Sequence, residues 1–98
     1  MFQNQHYITR GINAEIPPIT QLTLWQLIRA RRMEGAELDY LQVFELSNDN
    51  GVQKIIHAQE QPPYQAEAVL LGVDPIVEAT IYAIDDGDQS TMLFPEER

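Results

Sequence analysis

The sequence predicts an α+β domain in which one long amphipathic helix packs on a small, mostly antiparallel sheet of four to five strands. Three observations lead there. Leu24, Trp25, Leu27 and Ile28 gather on one side at helical spacing between Pro18 and Gly35. Two runs rich in β-branched and aromatic residues, 40–46 and 52–58, flank the dense turn signal Ser47-Asn48-Asp49-Asn50-Gly51. A single long helix cannot cover both faces of a sheet, so two layers are expected. At 98 residues the chain is expected to form one globular domain, 1–98, with no repeat and no interdomain linker.

In chain order, residues 5–12 alternate loosely and read as a strand ending near Gly11. Residues 13–18 are a connector, because Pro17-Pro18 cannot lie inside a helix or a central strand. Proline suits the first helical turn, where its missing N–H had no partner anyway. The helix is expected from Pro18 to Glu34, with Leu22 and Met33 broadening its apolar side and Gly35 ending it. A hairpin follows, with a four-residue loop at 48–51. That loop sets Ser47 opposite Val52, Glu45 against Lys54, Phe44 against Ile55, Val43 against Ile56 and Gln42 against His57. Residues 59–64, with Pro62-Pro63, read as a loop. Residues 66–71 are ambiguous between helix and strand, and Val69-Leu70-Leu71 before Gly72 favours a strand. Residues 78–84 read as a central strand, apolar on both sides, which stops at Asp85-Asp86-Gly87-Asp88. The tail carries Met92-Leu93-Phe94, a patch expected to pack back onto the domain.

Fifteen carboxylates oppose six Lys and Arg residues, for a net charge of -9. That balance argues against a nucleic-acid binder that neutralises phosphates with a basic face. Arg29, Arg31 and Arg32 cluster, and their position at a helix end lets them offset the negative pole of the dipole. No apolar run is long enough for a membrane span, and the N-terminus lacks a signal-peptide pattern, so a cytoplasmic protein is expected. With no cysteine, disulfides, thiol catalysis and cysteine-ligated zinc are excluded.

The candidate binding residues are Asp85, Asp86, Asp88, Ser90 and Thr91. Three carboxylates within four residues, after a strand and around a glycine, could hold Mg²⁺ or Ca²⁺. Counting from Asp86, an EF-hand loop fails at position six, where Thr91 replaces the required glycine, and at position nine, which is Phe94. The plainer reading is an acidic turn whose Asp side chains bond nearby backbone N–H groups. Neighbours in one turn also do not make a facing acid–base pair. His6 and His57 could join a carboxylate at zinc, but His57 shares a face with Phe44 and Ile55 and reads as a structural histidine. Trp25 reads as core. There is no G-x-S-x-G, no G-x-G-x-x-G and no P-loop lysine motif. No metal, cofactor or catalytic residue is assigned.

The segments Tyr7-Ile8-Thr9-Arg10-Gly11, Leu24-Trp25-Gln26-Leu27-Ile28, residues 38–46, residues 52–57 and residues 84–93, in that order, are similar to a family of short stand-alone proteins. That family, from Gram-positive bacteria and their mobile elements, is known as domain of unknown function 960. The resemblance spans nearly the whole chain. It implies a bacterial cytoplasmic α+β domain and supplies no activity, cofactor or catalytic residue.

Three functional readings follow. The favoured one is a protein-interaction module without catalytic activity, which binds an unidentified protein partner or a second copy through sheet edges or an apolar patch. The second is a small metal-dependent enzyme or ligand binder using Asp85, Asp86 and Asp88. The third is an acidic nucleic-acid mimic.

Overall fold

The computed structural model describes all residues, 1–98. Strand β1 (Gln5–Ile8) leads into a short helix α1 (Arg10–Glu15), and helix α2 (Pro18–Met33) follows. Strands β2 (Leu41–Asp49), β3 (Val52–Gln59), β4 (Tyr64–Leu70), β5 (Ala79–Asp85) and β6 (Gln89–Leu93) complete the sheet, and Pro95–Glu97 forms a 3₁₀ turn. The class is α+β, with one long helix. The sheet has six strands rather than four to five, in the order β1-β6-β5-β2-β3-β4. Its pairs are antiparallel except β1 with β6, which is parallel.

The sixth strand comes from the tail. Met92, Leu93 and Phe94 are buried, as expected of that patch, but Gln89–Leu93 does so as a strand between β1 and β5. The segment read as one strand over 5–12 divides at Thr9. Its hydroxyl accepts the Ile12 N–H and caps α1, whose Ile12 is fully buried. Thr9 Oγ1 donates in turn to Glu97 Oε1 at 2.7 Å, and the same oxygen accepts the Phe94 N–H. These bonds, led by the Phe94 N–H, hold the Glu97 carboxyl below its ordinary pKa.

Helix α2 starts at Pro18 as expected and ends at Met33, with Gly35 in the left-handed region just beyond. Leu24 and Ile28 are fully buried against Phe44, Leu46, Ile55, Ile81 and Met92. Each contributes roughly 1.5–3 kcal/mol by leaving water. Leu22 and Met33 do not extend this face. They lie about half a turn round the helix from Leu24, and both are exposed together with Ile19. Trp25 is half-buried against the core and stacks on His6 at 4.1 Å.

The β2–β3 hairpin keeps the expected faces but not the expected register. Phe44 pairs with His57, Leu46 with Ile55 and Asp49 with Val52. The turn is therefore Asn50-Gly51 alone, both with positive φ, the backbone that a two-residue hairpin requires. Glu45 faces Ile56 instead of Lys54, and Lys54 pairs across to Glu67 at 3.4 Å. The displacement is two residues, so side chains stay on their expected sides. The 66–71 segment is a strand, beginning two residues earlier at Tyr64, and β5 is central, between β6 and β2.

Helices α1 and α2 lie over one face. That face also carries three buried glutamines, each bonded. Gln53 clamps both the N–H and the carbonyl of Val77, while Gln42 and Gln59 form a network beside His57.

Candidate functional site

Three regions can carry function: the β5–β6 turn, the uncovered sheet face and a cleft beside the end of α2. The turn holds the residues singled out in the sequence. Asp85 Oδ2 accepts the Phe2 N–H at 2.7 Å, and its Oδ1 accepts from Gly87 N–H and the Asn4 amide. Burial alone would raise its pKa. The Phe2 and Gly87 N–H groups, the Asn4 amide and the N-terminal ammonium outweigh that and hold the carboxyl below its ordinary value. Ser90 Oγ, fully buried, donates to Asn4 Oδ1 at 2.6 Å. Asp86 Oδ1 accepts the Asp88 and Gln89 N–H groups, closing the turn. Asp88 is exposed. Thr91 is opposite Ile84, on the other face from Asp85 and Ser90. The structure thus brings Asp85 and Ser90 together on the N-terminal segment and sends Asp86, Asp88 and Thr91 elsewhere. No three His, Asp or Glu side chains are placed to hold a metal ion, His6 and His57 included.

The second region is the sheet face opposite the helices. Register places Leu93, Tyr82, Val43 and Ala58 in one row across β6, β5, β2 and β3. Tyr7, Thr91, Ile84 and Leu41 form the next row. Glu45 and Ile56 lie in a third, with Thr80 Oγ1 donating to Glu45 at 2.8 Å. Only Leu93 of these is buried. Leu41, Val43 and Ala58 also line a depression of about 270 Å³ with Asp39, Tyr40, Gln59 and Glu60. The sequence marks only the β5 segment, read over 78–84, as apolar on both sides, so this face was legible there alone. Its lack of a covering layer was not, because that depends on where the two helices dock.

The third region lies between α2 and β3–β4. Arg31 spreads over the Tyr64 ring, 3.4 Å from its centroid, and His57 stacks on Phe44 and meets Tyr64 edge-on. Burial, and secondarily the Arg31 charge, lowers the His57 pKa to about 4, so its ring is neutral at physiological pH. The expectation that His57 is structural fits its Phe44 stack and its bond to Gln42. Arg31 and Tyr64 were not singled out in the sequence as a pair, and their contact spans two elements no local pattern connects. Arg31 and Arg32 do sit in the last turn of α2, but each also makes a tertiary contact, Arg32 donating to the Phe2 carbonyl at 2.8 Å.

The largest hollow, about 470 Å³, is lined by Glu15, Glu78 and Glu96 with Val77, Thr80 and Phe94. It holds no histidine or cation to partner those acids in chemistry.

Residues 5–97 match the model of a family described as a staphylococcal protein of unknown function, DUF960. A crystal structure of a protein of unknown function from Enterococcus faecalis is similar throughout. Its TM-score is 0.83 at 27% sequence identity, covering 97% of this chain and 91% of that one. No curated protein matches. No helix is long and apolar enough to cross a membrane.

Proposed function

The chain belongs to the DUF960 family, of bacterial proteins of unknown function, and from that footing we propose that it is a cytoplasmic interaction module whose uncovered sheet face docks a second copy of itself. The observation that carries this reading is the half-covered sheet. One side of β2, β3, β5 and β6 is buried under the helices, and on the other Leu41, Val43, Ile56, Tyr82 and Ile84 stand partly exposed in adjoining rows. A contiguous apolar area of that kind marks an interaction surface.

Size and charge favour a second copy. The molecule measures 35 × 27 × 20 Å, and the thin dimension suits two layers, so the sheet spans much of the other two. A stable interface takes roughly 800 Å² per partner, and a face bounded by 35 × 27 Å has room for it. The face carries both signs, with Ile56 between Glu45 and Glu67 and Lys54 one row away, so a two-fold related copy can set acid against base. Two sheets packed this way bury inner faces about 10 Å apart.

A dilution series followed by ¹H–¹⁵N NMR tests the reading. Concentration-dependent shifts are expected at Val43, Ile56, Tyr82 and Ile84 and not on the outer side of α2. Spectra that do not change with concentration, or that change at Ile19, Leu22 and Met33 instead, would remove it.

A further inference from the structure

The cleft beside α2 has features that sheet docking does not use. It holds about 210 Å³, below the roughly 300–1,000 Å³ of a site for drug-sized ligands and so limited to a small molecule, and is walled by Leu27, Ala30, Ala66 and Ala68. Arg31 reaches into this region with nothing to bond. Its Nε is buried without a hydrogen-bond partner, one of two such side-chain atoms in the protein. The only ion pair in the structure is Lys54 with Glu67, so Arg31 is unpaired in a chain with fifteen carboxylates. A buried donor left unmade costs about 1–3 kcal/mol, and no group of the protein supplies its acceptor.

A second unused group lies alongside. Gln42 Nε2 donates to the Asp39 carbonyl and to Gln59 Oε1, both at 2.8 Å. Its Oε1 is therefore the acceptor facing His57 Nε2 at 2.6 Å. The neutral ring must carry its proton on Nε2, which leaves Nδ1 as a lone-pair acceptor on a residue that lines the cleft. The cleft thus combines one cation without an ion-pair partner, one ring-nitrogen acceptor and aliphatic walls.

We propose that this cleft binds a small hydroxy carboxylate, with Arg31 donating to the carboxylate, His57 Nδ1 accepting from the hydroxyl, and the aliphatic walls covering the hydrocarbon part. A single negative charge fits better than a dianion, because Glu34 also lines the cleft and Arg31 has no second cation beside it. Glu67 is already engaged by Lys54. The planar guanidinium matches a carboxylate edge-on, a geometry that lysine cannot reproduce.

The test is a titration of the full chain with sodium mandelate at constant ionic strength, following the Arg31 Nε–H and His57 ring nitrogens by ¹⁵N NMR. Phenylacetate, which lacks the hydroxyl, and inorganic phosphate are the comparison probes. Saturable shifts at both side chains are expected with mandelate, with affinity at least tenfold above phenylacetate and above phosphate. Arg31→Lys, checked by its melting curve to be folded, should weaken mandelate binding at least tenfold. No saturable shift at Arg31 and His57, equal affinity for all three probes, or unchanged binding by folded Arg31→Lys would overturn the proposal.

Discussion

The main-chain N–H of Phe2 donates to Oδ2 of Asp85 at 2.7 Å, joining residues 83 apart in sequence. The Phe2 side chain is itself buried in the core, and its carbonyl accepts from Arg32 at the end of α2. The acidic turn is thus the anchor of the N-terminal segment. Asp85→Ala removes acceptors from Phe2, Asn4 and Gly87 at once. It should cost about 2–4 kcal/mol in urea unfolding. Asp86→Ala should cost ~1 kcal/mol or less, and Asp88→Ala close to nothing. Equal effects at the three positions would contradict this division of roles.

The buried His57 makes stability depend on pH in a separate window. Its pKa is lowered from 6.5 to about 4 in the fold, so the unfolded chain binds the proton more readily. The stabilisation is fully present above pH 6.5 and is lost as pH falls toward 4, amounting to at most about 3 kcal/mol. Asp85 and Glu97, both lowered, lose their contribution only as pH drops below the ordinary carboxylate range. Melting curves between pH 7.5 and 5 should fall for the natural sequence. They should stay nearly level for His57→Gln, which keeps an amide to donate to Gln42. Parallel declines in the two proteins would rule out His57 as the cause.

Gly51 holds φ at +85° and follows Asn50 at +52° in the two-residue hairpin turn. Gly51→Ala meets no neighbouring atom, so its cost is backbone strain alone, about 1–2 kcal/mol. Asn50→Gly should change stability by less than ~0.5 kcal/mol. Chemical denaturation of both variants checks this. A Gly51→Ala protein as stable as the natural one would mean that the turn has another geometry.

These relationships differ in how far the sequence reveals them. The faces of β2 and β3 are legible because side chains alternate at period two. Their register is not, because Ser47–Gly51 offers several turn residues, and only the paired positive φ of Asn50 and Gly51 selects the short turn. Helix α1 has six residues, too few for a periodic pattern, and its one local signal is Thr9 three positions before the Ile12 N–H that it caps. The acidic cluster is visible as composition. The roles within it depend on Phe2 and Asn4, which meet it only because β1 pairs in parallel with β6. The Arg31–Tyr64 stack likewise depends on where α2 crosses the sheet.

Association through the open face brings together two bodies that each carry -9. Added salt screens that repulsion and should tighten the dimer. The most direct measurement is sedimentation equilibrium in 0.15 M salt (roughly the physiological ionic strength), for the natural chain and for Val43→Glu combined with Tyr82→Glu. The account predicts twice the 11.2 kDa chain mass for the first and 11.2 kDa for the folded variant. A natural chain that stays at 11.2 kDa at its highest soluble concentration, or a variant that still pairs, would contradict it.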